Sequence, residues 1–440
     1  MNAKDTGACF CSKAELELFT TPPINVSMER GDFAVHRTLA TISETSPLEF
    51  FVPGGPEEYI DLGRTRLRLN LKILKADDTA PDAGATLSTA NLLLHSLFSQ
   101  VDCKLNQKLV TPSVNTYPYK AYLETVLAHG SDSASTWLAA EMYYPDTKNV
   151  HNHDPNADGD ANPGLVARRD RIRRGRAVEL VGRPHIDIFQ QDKYLLNGVD
   201  LSLKFTRASK AFTLMTDNIA HFKIVILDAA LYVRKVKINP TISLEHNKTL
   251  QQGITAKYPL RRGVVSTFTI PTGNLSYNKE NLLTGQLPRR IVLGFVTNRA
   301  FNGHVTSNPF NFENFSLNYL TVNTDNQQFP SQPLQPNFAG GETVSEFHQL
   351  YSGLGFVNSN AGAGITLSQF NAGHALYCFD LTPDMAEGAH IDPIKYGNLR
   401  LEAHFATALA APINCICYAE YDNMIQIDHA RNVVADFAPS

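Results

Sequence analysis

The sequence has no excess of positive charge and no long apolar run. Its 440 residues carry 39 Lys and Arg against 43 Asp and Glu, a net charge of −4 at pH 7. A protein whose whole surface wraps nucleic acid needs a surplus of basic side chains, so that class is excluded. The apolar stretch 222–227 ends at Asp228, short of the ~18 residues that a transmembrane helix needs. Residues 1–10 have no long apolar stretch after Lys4, so no secretory signal is expected.

Cysteine is sparse, with six in the whole chain. A disulfide framework is therefore not expected, and folding in the cytosol or nucleus fits best. Cys415 and Cys417 lie two apart in an apolar strand-like run, which predicts two buried reduced thiols on one face. Cys9-x-Cys11 has no second Cys or His pair nearby, so it is weak as a zinc motif.

Few stretches have apolar residues at helical spacing, and many alternate between apolar and polar residues instead. Between Arg64 and Ile73 every second residue is apolar or Thr, which predicts a strand with one buried and one solvated face. Similar runs occur at 201–205, 222–227, 290–297, 315–322, 399–405 and 413–421. Short helices are predicted at 119–127, 134–142 and 344–354. The chain is mainly β.

The two halves of the chain repeat short landmarks in the same order. The pairs are Phe50, Val52, Pro53 and Gly55 with Phe268, Ile270, Pro271 and Gly273; Asn106-Gln107 with Asn326-Gln327; Pro112-Ser113 with Pro330-Ser331; and Gly198, Leu201, Leu203 and Phe205 with Gly397, Leu399, Leu401 and Phe405. Each Asn-Gln pair follows a strand-like run and is interpreted as a hairpin tip, with a short helix after it. Duplication of one β domain explains this order.

The repeat predicts an all-β fold of two tandem eight-stranded jelly-roll sandwiches, a double jelly roll with a few short helices. The predicted layout is an N-terminal arm at 1–30, a first jelly roll at 31–238, a linker at 239–257, a second jelly roll at 258–430 and a C-terminal tail at 431–440. The polar, turn-rich and then arginine-rich segment 145–176 is predicted to be a long surface loop inserted in the first jelly roll. Two immunoglobulin-type sandwiches are the rival, but the long helix-bearing connections disfavour them.

One block of sequence is specific enough to indicate a family. Residues 88–102 read Ser-Thr-Ala-Asn-Leu-Leu-Leu-His-Ser-Leu-Phe-Ser-Gln-Val-Asp, followed by Leu-Asn-Gln-Lys-Leu-Val at 105–110, Pro112-Ser113 and Tyr-Pro-Tyr-Lys-Ala-Tyr-Leu-Glu-Thr at 117–125. The block resembles the major capsid protein (hexon) family of Polinton/Maverick elements and adintovirus-like viruses, in the double-jelly-roll lineage that includes adenovirus hexons.

The resemblance implies a structural capsid protein that forms homotrimeric, pseudo-hexagonal tiles of an icosahedral DNA-virus shell. The implied partners are other copies of the chain, neighbouring capsomers, penton or vertex proteins and minor capsid proteins, with packaged DNA contacted at most indirectly. The implied location is the virion capsid, assembled in the host nucleus or cytoplasm. The resemblance brings no catalytic residues.

Residues 154–162 follow the spacing of a calcium loop, which places oxygen ligands at alternate positions around a glycine turn. The candidate ligands are Asp154, Asn156, Asp158 and Asp160, with Gly159 at the turn. Leu165 occupies the position where a calcium loop has its bidentate Glu. Calcium is therefore a weak candidate cofactor, and a solvated turn-rich loop is the alternative. His151-x-His153 has the spacing of a cupin metal pair but lacks the Glu that should follow it.

A run of arginines closes the insertion. Its members are Arg168, Arg169, Arg171, Arg173, Arg174 and Arg176. Contact with an acidic surface of a neighbouring subunit, contact with packaged DNA, a nuclear-import signal and a solvated charge run without a partner are the open interpretations.

No nucleophile elbow, phosphate loop, zinc-protease helix or dinucleotide motif occurs, so the chain is not expected to be an enzyme. A tandem β-sandwich binding module, such as a lectin or adhesin, is the alternative function. Such modules are normally secreted and often carry disulfides, and neither is expected here.

Overall fold

A computed structural model describes residues 14–437, apart from residues 17, 20, 23, 158, 325, 326, 384 and 386–390. In the first half the strands are β1 (Met28–Arg37), β2 (Leu48–Val52), β3 (Glu58–Lys75), β4 (Leu87–Thr89), β5 (Phe98–Leu105), β6 (Lys108–Leu109), β7 (Val178–Gly182), β8 (Leu201–Arg207), β9 (Leu214–Thr216) and β10 (Phe222–Ile238). One sheet has the order β1-β10-β3-β7 and a second the order β2-β8-β5-β6, while β4 pairs with β9.

The second half repeats this arrangement. Its strands are β11 (Ala256–Ile270), β12 (Ser276–Gln286), β13 (Arg290–Thr297), β14 (Leu317–Asn323), β15 (Gln328–Leu334), β16 (Leu376–Asp380), β17 (Tyr396–Phe405), β18 (Ile413–Ile427) and β19 (Val433–Ala435). The sheet orders are β11-β18-β13-β16 and β12-β17-β14-β15, and β19 pairs with the last three residues of β18. All these pairings are antiparallel.

The strand connectivity is the same in both halves when β4, β9 and β19 are set aside. The first strand pairs with the eighth, the eighth with the third and the third with the sixth, while the second, seventh, fourth and fifth strands form the facing sheet. This is the connectivity of a jelly roll, whose two sheets close most strand edges. The predicted double jelly roll is confirmed.

Alternating burial explains why the predicted strands form. In β3 the side chains of Leu67, Leu69, Leu71 and Ile73 are at most 1% exposed, and the residues between them lie toward the outer face. The buried faces of both jelly rolls belong to one continuous apolar cluster. Burial of this surface is the main favourable term in folding.

The helices are short or lie between strands. They are α1 (Leu93–Ser96), α2 (Tyr117–Ala128), α3 (Ser131–Ser135), α4 (Pro163–Ile172), α5 (Lys210–Thr213), α6 (Pro240–Gln251), α7 (Asn298–Phe301), α8 (Val344–Gly353) and α9 (Leu367–Asn371), with 3₁₀ turns at Ala14–Leu16, Trp137–Glu141, Arg173–Gly175, Asp187–Phe189 and Ile219–His221. Among the described residues, no helix is long and apolar enough to cross a membrane. The helices predicted at 119–127 and 344–354 correspond to α2 and α8.

One of the repeated landmarks is not structurally equivalent. Pro53 follows β2, the second strand of its jelly roll, whereas Pro271 follows β11, the first strand of the other. The interpretation of these two prolines as corresponding positions is wrong, because a short strand-end motif recurs at different strands. Asn106-Gln107 forms the β5–β6 turn with φ of 44° and 68°. Gln327 lies in the turn of the corresponding β14–β15 hairpin, while Asn326 lies outside the described residues.

Two segments predicted to be irregular contain helices. The insertion 145–176 includes α4, whose residues Leu165, Arg168 and Ile172 are buried, so its description as a surface loop is wrong for this part. The polar stretch 239–257 contains α6, which connects β10 to β11. In both segments burial or capping, rather than an apolar composition, stabilises the helix.

Candidate functional site

The contact region between the two jelly rolls is the most elaborate polar site among the described residues. Helix α2 lies at its centre, and ten of its twelve residues are buried. A helix that is buried on nearly every face must be enclosed by structure on all sides. The helix packs against β5 of the first jelly roll and against β11 and β18 of the second. We call α2, together with the residues that contact it from both jelly rolls, the junction.

A buried charge cluster spans the junction. The Lys120 ammonium on α2 lies 2.5 Å from a carboxylate oxygen of Asp187 and 3.8 Å from one of Glu124. These three side chains are at most 9% exposed. Burial alone would raise the pKa of Glu124, but the Lys120 ammonium and a hydrogen bond from His185 hold it at about 2. Burial raises the pKa of the Asp187 carboxyl, and the Lys120 ammonium opposes this rise. The cluster thus sets one cation between two buried carboxyl groups.

The second jelly roll completes this cluster. The backbone N–H of Gly263 on β11 donates to Asp187 at 3.1 Å. The hydroxyl of Tyr418 on β18 donates to Glu124 at 3.3 Å. A Cβ at position 263 would lie 2.8 Å from the Tyr418 oxygen and 3.0 Å from Glu124, so only glycine leaves room for these contacts. Buried charges need hydrogen-bond partners, and here both jelly rolls supply them. The second carboxylate oxygen of Asp187 has no hydrogen-bond partner among the described residues.

Aromatic stacking reinforces the same contact. The ring of Tyr122 on α2 stacks on Phe310 of the second jelly roll, with centroids 4.1 Å apart and planes 4° apart. Tyr119 stacks on Phe301 at 5.6 Å. The Tyr122 hydroxyl lies 3.3 Å from Nε2 of the buried His374. Aromatic pairs of this kind contribute about 0.5–1.5 kcal/mol beyond the area they bury. The two jelly rolls are thus held as one unit.

The junction should weaken in acid. Burial holds the pKa of His374 below its usual 6.5. Below pH 6.5 the imidazole of His374 gains a proton in the unfolded chain but not in the folded chain. The contribution of this imidazole to the free energy of unfolding is therefore complete above pH 6.5 and is lost as the pH falls. The loss approaches about 1.4 kcal/mol per pH unit until the folded-state pKa is reached. We expect the thermal midpoint to fall less steeply between about pH 7.5 and 5.5 in His374→Gln than in the wild type. Equal slopes for the two proteins would contradict this.

The six arginines of the predicted run have different environments in the structure. The side chain of Arg168 is 1% exposed, so the prediction that it contacts DNA or another subunit is wrong. Its guanidinium donates to the carbonyls of Thr89 and Tyr144 and to the carboxylate of Asp146, each at 2.9–3.0 Å. Asp146 also accepts a hydrogen bond at 3.2 Å from Asn308 of the second jelly roll. Arg168 lies in a segment that was predicted to be a surface loop, but it binds Asp146, which contacts the second jelly roll.

The other arginines lie nearer the surface. Arg169 donates to Pro155 and Asn156, and Arg173 donates to the Ala83 carbonyl. Arg171, Arg174 and Arg176 are exposed, and within the described part of the chain they have no ion pair or side-chain hydrogen bond. Three guanidinium groups are thus free to meet an acidic surface, and their role stays a prediction.

The candidate calcium loop is already partly occupied by protein groups. Asp154 accepts a hydrogen bond from the Asn156 backbone, and the Asn156 side-chain oxygen accepts one from Arg169 at 2.9 Å. The backbone carbonyl of Asp160 accepts hydrogen bonds from Asn149 and Asn152. Asp158 lies outside the described residues. Calcium binding stays a prediction here, and it would have to displace the positive charge of Arg169.

The cysteine and histidine motifs of the sequence lie partly within the described residues. Cys415 and Cys417 are unpaired and fully buried, as predicted, and burial raises the pKa of Cys417 to about 12. Cys9 and Cys11 lie outside the described residues. His153 is 3.0 Å from Asp217, and the described residues place no metal-binding group of three side chains around it. The junction residues Lys120, Glu124 and Asp187 were missed, although Lys120 and Glu124, four residues apart in a mainly apolar helix, were a visible signal.

Comparisons with known proteins agree with this architecture. No family model matches the chain. It is 23% identical over 402 residues to an uncharacterized protein of Caenorhabditis elegans, a match that covers 89% of this chain and 93% of that protein.

Solved structures share the fold over nearly the whole chain. A chain from the Sputnik virophage structure superposes with a TM-score of 0.63 at 14% identity, covering 98% of this chain and 93% of the other. The Faustovirus major capsid protein gives a TM-score of 0.57 at 8% identity and covers 92% of each chain. The mavirus major capsid protein gives 0.54 at 10% identity, with coverage of 99% and 97%. Double-jelly-roll capsid proteins are thus the solved structures that this chain resembles, as the sequence predicted.

Proposed function

We propose that this chain is the major capsid protein of an icosahedral DNA virus and that it assembles as a homotrimeric, pseudo-hexagonal capsomer. The observation that carries the proposal is the pair of jelly rolls with identical strand connectivity, held together by a buried junction. Faustovirus and mavirus proteins with the same fold are major capsid proteins. The role is structural, with no enzymatic activity. Membership of the Polinton/Maverick and adintovirus-like group is part of the proposal and rests on the sequence block 88–125.

The duplication has a geometric use in such a shell. Three chains with two similar lobes each present six lobes around one threefold axis, which gives a roughly hexagonal tile. A C3 ring closes with head-to-tail contacts between identical chains. Obligate interfaces of this kind bury on the order of 2,000–5,000 Å² and are apolar at their centre. A rigid junction supports this role, because lobes that moved relative to each other would not present a fixed outline.

Exposed apolar side chains support contacts between subunits or tiles. Near the start of the described chain, Phe19 is 96% exposed and Ile24 is 81% exposed, and Leu16, Leu18 and Val26 are also exposed. Several large, exposed apolar side chains in one short segment are candidates for burial in an assembly. We therefore propose that the N-terminal arm clamps neighbouring tiles or the shell interior, although most of residues 1–23 lie outside the described residues.

Exposed arginines are candidates for polar contacts between subunits of the tile. We propose that Arg171, Arg174 and Arg176 meet an acidic surface of a neighbouring subunit, with packaged DNA as the other acceptor of these charges. Vertex and minor capsid proteins complete the set of partners, and the virion capsid is the location, with assembly in the host nucleus or cytoplasm. No observation favours the lectin-like or adhesin-like alternative.

Negative-stain electron microscopy of the purified protein tests the proposal. Compact particles with a threefold axis and a hexagonal outline are expected, because six lobes surround the axis. A field of elongated two-lobed particles would instead indicate a monomeric tandem sandwich and would refute the capsomer. The triple variant R171E/R174E/R176E serves as a second sample, in which the tile is expected to form less completely if these arginines lie between subunits.

A further inference from the structure

Three side chains with metal-binding groups meet inside the first jelly roll. His95 lies in α1, Glu141 ends the 3₁₀ turn Trp137–Glu141, and His185 follows β7. One nitrogen from each histidine and one carboxylate oxygen all lie within 4.8 Å of one another. His95 Nε2 and the Glu141 oxygen are already 3.2 Å apart. Two ligands of a tetrahedral ion bound at 2.0–2.2 Å lie at about this separation. Small rotations of His185 and Glu141 would complete the set.

The hydrogen bond between His185 and Glu124 determines which nitrogen of His185 is available to a metal ion. Its Nδ1 lies 2.6 Å from a carboxylate oxygen of Glu124 and therefore carries the proton of the hydrogen bond. In the neutral form of this imidazole, Nε2 is then the nitrogen without a proton. The nearest hydroxyl, that of Thr125, is 3.4 Å from Nε2 and donates its proton to the Ala121 carbonyl at 2.8 Å. The Nε2 lone pair of His185 is thus left without a donor from Thr125.

The second histidine is oriented in the same manner. Nδ1 of His95 lies 2.8 Å from the hydroxyl oxygen of Tyr117. With a metal ion on Nε2, the one proton of this imidazole sits on Nδ1 and is donated to the Tyr117 oxygen. Outer partners of this kind, a carboxylate on His185 and a hydroxyl on His95, fix the ring orientation of metal-binding histidines in known sites.

Glu141 supplies the charge that makes a cation favourable. It is 5% exposed, and within the described residues no Lys or Arg lies within 4.0 Å of its carboxylate. Buried carboxylates are normally paired with a cation or bound to a metal. A Cβ at Gly182 would lie 2.4 Å from the second Glu141 oxygen, so glycine makes the space that the carboxylate occupies.

We propose that His95 Nε2, the Glu141 carboxylate and His185 Nε2 bind one Zn²⁺ ion. Two imidazoles and one carboxylate are a ligand set that zinc accepts, with the fourth position left for water. The side chain of His185 is 14% exposed, which gives the ion a route from solvent. The ion would tie together the segment before β5, the 3₁₀ turn Trp137–Glu141 and the segment after β7. Because Glu124 also belongs to the junction, the zinc site would brace the region where the two jelly rolls meet.

Zinc binding to the full-length protein tests the proposal. Protein stripped with a chelator is dialysed against micromolar ZnCl₂, and bound zinc is counted by elemental analysis. The variants Glu141→Gln and His185→Gln each remove one ligand, and His153→Gln is the matched control because His153 is a surface histidine of the same jelly roll paired with Asp217. The expected result is one zinc per chain in the wild type and in His153→Gln, and none in the two ligand variants. The thermal midpoint of the wild type should rise by roughly 3–4 °C when free zinc is about 100–1,000 times its dissociation constant.

The outcomes that would overturn the proposal are specific. If the wild type takes up no zinc, the three side chains form only a hydrogen-bonded network and the proposal is wrong. If zinc remains bound in both ligand variants, the ion lies elsewhere. If the ligand variants fail to fold, the absorption spectrum of the Co²⁺-substituted wild type decides. Intense visible bands of a tetrahedral ion without a thiolate charge-transfer band support the site, and the weak bands of an octahedral ion refute it. None of these readouts depends on trimer formation.

Discussion

Lys120→Met destabilises the folded chain by about 3–5 kcal/mol, because it leaves the buried carboxylates of Asp187 and Glu124 without their cation. Methionine keeps the length and apolar character of the lysine stem, so the lost charge is the main change. Urea unfolding of the full-length protein measures the effect. The junction should fail first, because Gly263 and Tyr418 contact the same carboxylates from the second jelly roll.

Two controls separate charge from packing. Lys248→Met changes an exposed lysine on α6 and should leave the unfolding curve close to that of the wild type. Adding Glu124→Gln and Asp187→Asn to Lys120→Met neutralises the stranded carboxylates and should recover much of the lost stability. A Lys120→Met protein as stable as the wild type would show that the cluster contributes little to the junction.

Arg168→Ala is expected to cost a similar amount, about 3–5 kcal/mol, because Asp146 would remain buried and unpaired. The substitution also removes the Arg168 donor from the carbonyls of Thr89 and Tyr144, of which Tyr144 keeps the donor from Asn91. Thermal and urea unfolding of the variant give the measurement. Asp146 contacts Asn308, so the loss should extend to the contact between the jelly rolls.

Arg171→Ala is the matched control for this prediction. It removes an exposed arginine of the same helix that has no ion pair or side-chain hydrogen bond among the described residues. Its stability should stay near that of the wild type. Equal stability losses for the two variants would mean that the distinction between buried and exposed arginines is wrong.

Strands with one apolar face were predictable from the alternation of apolar and polar residues. Leu67, Leu69 and Leu71 alternate with polar residues, and this period of two appears in the sequence without knowledge of tertiary contacts. The strand predicted at 290–297 coincides with β13, and that at 399–405 lies within β17. The same reasoning found α2 and α8, since both carry apolar residues at helical spacing.

Helix α4 was missed because its buried face contains a charged residue. The buried positions Leu165, Arg168 and Ile172 follow helical spacing, but an analysis of apolar periodicity counts Arg168 as polar. A local signal was available. Asn162 caps the helix through a hydrogen bond from Gly164, and Pro163 is its first residue.

Helix α6 begins with the same dipeptide. Asn239 accepts a hydrogen bond from the Thr241 backbone, and Pro240 is the first helical residue. An Asn-Pro pair in a polar segment was therefore a better guide to these two helices than composition. The metal-binding group could not be found in this way, because His95, Glu141 and His185 are far apart in the sequence and only the fold brings them together.

The mass of the assembled protein tests the central claim most directly. Light scattering on dilute protein at neutral pH, coupled to size-exclusion chromatography, measures this mass without reference to shape. A homotrimer has three times the chain mass of 48.6 kDa, and this value should persist on dilution because an obligate interface is large. A single species of 48.6 kDa across the micromolar range would contradict the proposal that three copies of this double jelly roll form a capsid tile.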